Sequence, residues 1–190
     1  EFGTRHSSNA GSMTGLAVAA ANTDVWVKAA NSDTGNDFWY SEDRGVTWSN
    51  KVTAPVSGQN GHGGSVAISA DGSTFYWAPD NMAFVFWSDD KGKTWNQSEG
   101  GLSAKRLIAD PVNPDYLYAA SGSTFYYSDD RGKTFTANSE LSVFTSTRPV
   151  VEAGVEGKIY YPAMGLQVST DHGKTCLLYT SPSPRDKRQS

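Results

Sequence analysis

A polar octet that begins with Ser and carries Asp at its third position recurs four times along this chain, and in the first three copies a second carboxylate precedes that Asp. The octets read SEDRGVTW from Ser41, SDDKGKTW from Ser88, SDDRGKTF from Ser128 and STDHGKTC from Ser169. Paired carboxylates can act as general acid and base, and closely spaced carboxylates can bind Ca²⁺. The first question is whether these acidic groups perform chemistry or shape the chain.

The residue types inside the octet favour a structural turn. Asp accepts hydrogen bonds from the amides of its own turn, and the Gly two positions later permits a positive φ. An EF-hand loop needs alternating acidic positions and a distant Glu, which the octets lack, so we expect no metal site and no cofactor. The expected structural residues are Ser41, Asp43, Gly45, Trp48, Ser88, Asp90, Gly92, Trp95, Ser128, Asp130, Gly132, Phe135, Ser169, Asp171 and Gly173.

Short alternating segments recur between the octets in one order, which predicts four strands per repeat. In the second repeat they are SVAISAD, TFYWAPD, AFVFWSD and TWNQS, and the octet joins the third strand to the fourth. Consecutive octets begin 47, 40 and 41 residues apart. This period favours an all-β partial β-propeller of about four blades over a sandwich. The fourth repeat is predicted to lack its outer strand.

The repeat boundaries divide the chain into three parts. Residues 1–13 are interpreted as a leader or linker, in which EFGTR is either a cloning scar or a native loop. Residues 14–175 form an incomplete propeller with blades at about 14–55, 63–100, 103–140 and 146–175. Residues 176–190 resemble a translated sequencing adapter, and we expect an artefactual disordered tail there.

The charge distribution narrows the classes of partner. The formal net charge is −4, and acidic and basic residues are interspersed without a basic stripe for phosphates. The longest apolar run, LAVAAA from Leu16, is far shorter than the roughly 20 residues of a membrane span. We therefore expect neither nucleic acid nor a membrane as a partner, and no targeting segment is visible.

Two longer stretches carry a family resemblance. The octet resembles the Asp-box, S-x-D-x-G-x-T-W, of sialidases, sortilin-type receptors and several glycoside hydrolases, and it indicates fold more than function. GGSVAISADGSTFYWAP and LIADPVNPDYLYAASGSTFYYSDDRGKTF resemble the second propeller of xyloglucan-degrading enzymes of glycoside hydrolase family 74, over about residues 14–175. The resemblance implies an extracellular parent enzyme with two seven-bladed propellers, which hydrolyses β-1,4-glucan with inversion.

The same resemblance limits what this segment can do alone. It places one catalytic carboxylate in the first propeller and the other early in the second, and neither motif occurs in this sequence. We therefore assign no catalytic residue and expect the fragment to be inactive without the missing blades of its parent chain. Two alternatives stay open: a noncatalytic propeller that binds protein partners, and a fragment of a sialidase, which would need an arginine triad and a Tyr nucleophile.

The expected partner is a polysaccharide, xyloglucan or a related β-glucan, bound at the end opposite the octets. In a meander, the turns after strands one and three lie at one end, so the remaining loops are predicted to line the cleft. These loops are residues 31–37, 56–64, 78–83, 139–148 and 162–165.

Six residues in or near these loops are candidates for substrate binding. The aromatic rings of Trp77 and Tyr161 can stack on a sugar, with packing between blades as the alternative for each. The side chains of Asp80 and Asn81 can bind hydroxyls. His62 suits a loop hydrogen bond better than a metal, and Arg148 can hold a carboxylate if the parent protein is a sialidase.

Overall fold

A computed structural model describes residues 10–32, 35–49, 52–53, 63–79, 82–103, 106–142, 149–163 and 165–179. Within these ranges the chain contains sixteen β-strands and no helix, arranged as four antiparallel sheets of four strands each. In this described part, no helix is long and apolar enough to span a membrane. The prediction of an all-β partial propeller is confirmed.

Each repeat contributes one sheet, and sheets A to D follow one another along the chain. Sheet A contains β1 (Ala10–Val18), β2 (Trp26–Ser32), β3 (Gly35–Ser41) and β4 (Val52–Thr53). Sheet B contains β5 (Ser65–Ile68), β6 (Phe75–Ala78), β7 (Phe86–Ser88) and β8 (Asn96–Gln97). Sheet C contains β9 (Arg106–Ala109), β10 (Leu117–Ser121), β11 (Thr124–Ser128) and β12 (Thr136–Ser142). Sheet D contains β13 (Val150–Val151), β14 (Ile159–Ala163), β15 (Gly165–Ser169) and β16 (Leu177–Tyr179).

The outer strand of sheet D corrects one prediction. β16 pairs with β15 through Val168 opposite Leu177 and Leu166 opposite Tyr179. The fourth repeat therefore does not lack its outer strand, and residues 177–179 of the predicted tail belong to a sheet. The physical reason is that backbone groups of β15 can pair with any extended segment that leaves the octet in the right direction, and Leu-Leu-Tyr tolerates that conformation.

The core consists of three apolar clusters, one between each pair of successive sheets. Alternate residues of a strand point to opposite faces of the sheet. On β6, Phe75 and Trp77 face sheet A and pack near Phe38, whereas Tyr76 faces sheet C and packs in the cluster of Leu117. A third cluster joins sheets C and D and contains Tyr118, Ala120, Phe125, Ile159 and Tyr161. Both faces of sheets B and C are therefore covered.

The two ends of the stack are distinguished by their turns. The Arg44 Nε atom of the first octet lies 2.6 Å from Asp24 Oδ1, in the turn between β1 and β2. The Arg131 Nε atom of the third octet lies 2.8 Å from Asp115 Oδ1, in the turn between β9 and β10. The octets and the first turns thus share one end, called here the octet end. The other end, called the loop end, carries the second-to-third-strand connections and the connections between sheets.

Candidate functional site

The octets form closed hydrogen-bond networks. In the first octet, the Ser41 hydroxyl donates to Asp43 Oδ1 at 2.7 Å, and the Gly45 amide donates to Ser41 Oγ at 2.8 Å. The Thr47 amide donates to Asp43 Oδ1 at 2.8 Å, and the Thr47 hydroxyl donates to Asp43 Oδ2 at 2.5 Å. Equivalent bonds occur in the other three octets. The Asp carboxylates are fully engaged in shaping their own turns.

Two successive residues of each octet have positive φ. The glycines at position five have φ values of 77° to 81°, and the residues at position four, Arg44, Lys91, Arg131 and His172, have φ values of 61° to 63°. A Cβ atom on Gly173 would lie 2.2 Å from the Phe125 Cε1 atom. Glycine is therefore required there both by conformation and by space. The left-handed residue at position four is a feature that the sequence analysis missed.

The protonation of these carboxylates argues against acid catalysis. Hydrogen bonds from the Thr94 amide and hydroxyl lower the pKa of Asp90 to about 2. A hydrogen bond from the Thr47 hydroxyl is the main cause that lowers the pKa of Asp43. Burial raises the pKa of Asp130 and Asp171, but the hydrogen bonds of their own turns outweigh it and the pKa of each is lowered. All four are ionised near neutral pH, so none is a proton donor.

The described residues contain no group of three or more His, Cys, Asp or Glu side chains that could hold a metal ion. The aromatics that close the second and third octets, Trp95 and Phe135, pack against the inter-sheet clusters. The rings of Trp95 and Phe38 meet edge to face at 5.0 Å, and Trp95 lies 5.7 Å from Trp77. In the fourth octet Cys176 takes the place of the aromatic and packs against the cluster between sheets C and D.

Trp77 and Tyr161 are both buried in the inter-sheet clusters. Their exposed fractions are 0% and 1%, respectively. In sheet B, Phe75 pairs with Ser88, the first residue of the octet, and Trp77 is two residues further along the strand. In sheet D, Ile159 pairs with Ser169, and Tyr161 is again two residues further. Because alternate residues share a face, both rings lie on the face toward the preceding sheet. Burial raises the pKa of the Tyr161 hydroxyl. Neither ring offers a face for stacking on a sugar, so packing is the interpretation that the geometry supports for both.

Trp77 nevertheless connects two loops of the loop end. Its Nε1 atom donates a 2.7 Å hydrogen bond to the carbonyl oxygen of Gly63. A Cβ atom on Gly64 would lie 2.1 Å from the carbonyl oxygen of Ala78, so the backbones are in close contact there. Trp77 therefore positions the chain on either side of the loops that contain His62, Asp80 and Asn81. Those three residues and Arg148 lie outside the described residues, and their roles stay predictions.

A cavity at the loop end brings together residues that the sequence analysis did not single out. Its volume is about 240 Å³, and Gly15, Ser65, Arg106 and Pro149 contribute to its lining. The Arg106 Nε atom is buried and has no hydrogen-bond partner among the described residues. The Ser65 hydroxyl accepts a 2.9 Å hydrogen bond from the Leu107 amide. The sequence offered one signal for this cavity: a polar residue, Ser65 or Arg106, begins an otherwise apolar first strand.

A further candidate at the loop end is Phe84, between β6 and β7. Its side chain is half-buried, and its Cε1 atom lies 3.6 Å from where a Cβ atom on Gly101 would be. Toward the octet end, a second cavity of about 290 Å³ continues along the inner strands and is lined mainly by apolar residues such as Leu16, Val66 and Ile108. Of these two cavities, the one at the loop end carries more of the polar side chains, Ser65 and Arg106.

Comparisons with known proteins agree with this architecture. The BNR/Asp-box repeat family matches residues 126–137, which contain the third octet. A xyloglucanase from Paenibacillus sp is 32% identical over 181 residues, which cover 88% of this chain and 17% of the relative. The crystal structure of a GH74 enzyme from Niastella koreensis superposes with a TM-score of 0.74 and 27% identity, over 91% of this chain and 25% of that one. This chain belongs to glycoside hydrolase family 74.

A second relative supports the same family resemblance. A xyloglucanase from Hypocrea jecorina is 34% identical over 152 residues, which cover 78% of this chain and 17% of the relative. The chain thus spans about a sixth of the length of the two curated relatives named here. The GH74 resemblance read from the sequence between the octets is confirmed.

Proposed function

We propose that this chain is part of a secreted glycoside hydrolase that acts on xyloglucan or a related β-1,4-glucan by inverting hydrolysis. The observation that carries the proposal is its similarity to a xyloglucanase along 88% of its length. A polysaccharide is the proposed partner, and the remaining blades of a longer chain complete the propeller. The alternatives of a protein-binding propeller or a sialidase are not favoured, because the relatives that match along most of the chain are xyloglucanases.

The role of this segment is to form part of the substrate cleft at the loop end. His62, Asp80, Asn81 and Arg148 belong to the loops of that end by the order of the strands. Arg106 is half-buried and lines the cavity, and a guanidinium group there is suited to donate to sugar hydroxyls. In this proposal Trp77 does not contact the sugar. It is a positioning residue that holds Gly63 through its indole N–H.

Hydrolysis itself is assigned to residues outside this segment. An inverting mechanism needs a general acid and a general base roughly 6.5–9.5 Å apart on opposite faces of the sugar. The paired acids of this segment are in the octets, where the pKa of each third-position Asp is lowered by hydrogen bonds and the carboxylate is held in a turn. They lie at the end opposite the proposed cleft, so the isolated segment is expected to bind glucan without cleaving it.

Affinity electrophoresis tests the proposal directly. The purified chain is run in native gels with and without xyloglucan, and we expect retardation by xyloglucan and no release of reducing ends. Asp80→Ala and Asn81→Ala should reduce the retardation, whereas Asp89→Ala, an exposed residue at the octet end, should not. Equal mobility of the wild-type chain in both gels, with a cooperative unfolding transition showing that it is folded, would contradict the proposal.

A further inference from the structure

The fourth residue of the octet is permanently charged in three repeats and a histidine in the last. Arg44, Lys91 and Arg131 occupy this position in the first three octets, and His172 occupies it in the fourth. All four share a left-handed φ of 61° to 63°. Their exposure differs, because the side chain of His172 is 15% exposed and that of Arg131 is 35% exposed. The fourth octet alone therefore places a group that titrates near neutral pH at this position.

His172 lies at the boundary between sheets C and D. Its ring stacks on Tyr116, in the first turn of sheet C, with the ring centres 3.5 Å apart. Its Nδ1 atom lies 2.9 Å from the Tyr118 hydroxyl oxygen on β10. The His172 amide donates to the Gly157 carbonyl oxygen of sheet D at 3.0 Å. The residue is thus held by its own sheet through its backbone and contacts the preceding sheet through its ring.

The position of the hydrogen in this contact follows from its partners. The Tyr118 hydroxyl donates its single hydrogen to Asp110 Oδ2 at 2.7 Å. Since that hydrogen is used, the hydroxyl oxygen can only accept from His172, so Nδ1 carries a hydrogen in the neutral ring. A neutral His172 therefore completes a chain of two hydrogen bonds that ends on the Asp110 carboxylate.

That carboxylate is already satisfied without a charge on the ring. Asp110 is 1% exposed, and it lies 3.7 Å from His172 Nδ1, beyond hydrogen-bond distance. Besides the tyrosine hydroxyl it accepts hydrogen bonds at 2.8 to 2.9 Å from three backbone amides, those of Val112, Asn113 and Gly157. A second proton on the ring, at Nε2, would therefore gain no new hydrogen bond from Asp110.

The other carboxylates near the ring are engaged as well. Glu156 Oε1 lies 3.4 Å from His172 Nε2, but this side chain is 48% exposed and its Oε1 atom accepts from the Asn113 side-chain amide at 2.8 Å. Asp171, the third residue of the octet, accepts from the Thr175 amide and hydroxyl. Each carboxylate therefore offsets only part of the cost of a buried imidazolium.

A cation also lies beside the stacked rings. Lys174 Nζ donates to the Tyr116 hydroxyl oxygen at 3.3 Å and lies 5.5 Å from the centre of the Tyr116 ring. Burial is the main cause that lowers the pKa of His172 below its ordinary value of 6.5. The carboxylates of Asp110 and Glu156 oppose this shift, and Lys174 adds to it. The folded chain therefore favours the neutral ring.

We infer that His172 is a pH-sensitive switch at the boundary between sheets C and D, closed by the neutral ring and loosened when Nε2 takes up a proton. Its stabilising contribution is fully present above about pH 6.5 and is lost as the pH falls through the lower value of the folded state. Lys91 and Arg131 stay charged over this range, so the other two boundaries should not respond. The proposed function assigns loops of both sheets to one cleft, so the switch would regulate that cleft, and this consequence alone rests on the proposed function.

Titration of the histidine rings by NMR tests the first step. The chain contains three histidines, and a His172→Asn variant assigns the signal of His172. We expect its midpoint to lie below the ordinary value of 6.5. Glu156→Gln should move the midpoint to lower pH and Lys174→Met to higher pH, because they remove a neighbouring anion and a neighbouring cation. A wild-type midpoint at or above 6.5 would overturn the inference.

Amide hydrogen exchange, corrected for the intrinsic effect of pH, tests the loosening without any glucan. Protection of the Gly157 and His172 amides should fall at least about threefold between about pH 7.5 and about pH 5. The Gly92 amide, which donates to Ser88 Oγ at 2.8 Å within sheet B, should keep its protection. His172→Asn, which tolerates a left-handed φ, should abolish the fall at Gly157, whereas the control His6→Asn should retain it. An equal fall at Gly92, or a fall that persists in His172→Asn, would refute the switch.

Discussion

The octet end and the loop end differ in how their polar groups are satisfied. At the octet end, each Asp accepts from its own Ser, Thr and backbone amides, as with Asp90 and Thr94, where three of the distances are 2.9, 3.1 and 2.7 Å. At the loop end, Arg106 Nε is buried without a described partner, and Phe84 is only half-buried. The Asp side chains of the octets support the fold by satisfying their own turns, whereas Arg106 lines a cavity at the loop end where a ligand can contact it.

Removal of Trp77 should have the largest effect on stability and gives the sharpest test of its buried position. The side chain is fully buried, so Trp77→Ala should lower the free energy of unfolding by about 3–5 kcal/mol, through lost burial and a cavity. Urea unfolding followed by circular dichroism measures this. The control is Trp48→Ala. Trp48 closes the first octet, as Trp95 closes the second, and is only half-buried, so its loss should lower the free energy of unfolding by clearly less than the loss of Trp77. Similar losses for both would contradict the difference in burial.

Two glycines with positive φ separate the effect of conformation from that of space. Gly173→Ala places a methyl group within 2.2 Å of Phe125, whereas Gly122→Ala meets nothing within 4 Å. We expect Gly122→Ala to cost about 1 kcal/mol and Gly173→Ala about 2–4 kcal/mol, measured by the same urea titration. Equal costs would show that the octet end accommodates the methyl group without strain.

Loss of the first Ser of an octet should have a smaller effect. Ser88→Ala removes the acceptor for the buried Gly92 amide, a 2.8 Å hydrogen bond, and should lower the free energy of unfolding by about 1–3 kcal/mol. The exposed Ser123, in the hairpin between β10 and β11, is the matched control. If Ser123→Ala were equally destabilising, the octet network would not be the cause.

Acid should weaken the octet end in a defined direction. The pKa of Asp90 is about 2 in the folded chain, against an ordinary value of 3.8, so its ionised form favours folding. This contribution is fully present above about pH 4 and is lost as the pH falls through about 2. Unfolding midpoints between pH 5 and 2 should therefore fall less steeply for Asp90→Asn than for the wild type. Parallel pH profiles would show that the Asp90 carboxylate does not contribute.

The smallest stability change is expected at the loop end. Phe84→Ala should lower the free energy of unfolding by less than the Trp77 substitution, because the ring is only half-buried, and should reduce retardation in xyloglucan gels. Retardation that is unchanged, with a large loss of stability, would place Phe84 in the core rather than in the cleft.

Local and long-range features were predictable to different degrees. The octet's Ser–Asp–Gly–Thr pattern was readable because its hydrogen bonds close within eight residues, as between Ser41 and Thr47. The number of sheets and the GH74 resemblance followed from the repeat and the stretches between octets. The burial of Trp77 was left open, because both faces of a stacked sheet are covered and alternation alone does not distinguish a ring at a rim from one between sheets. The pairing of β16 was missed because its sequence was attributed to a tail.

The sequence by itself determined that the acidic octets are turns in a repeated all-β fold, since each turn is stabilised by bonds among its own neighbours. Only the tertiary structure decided which side chains are buried and which residues of neighbouring sheets contact each other. Trp77 and Tyr161 lie between sheets, and the fourth octet residue contacts the preceding sheet, because segments about forty residues apart in sequence are stacked face to face. Contacts of that range depend on packing, which no local pattern encodes.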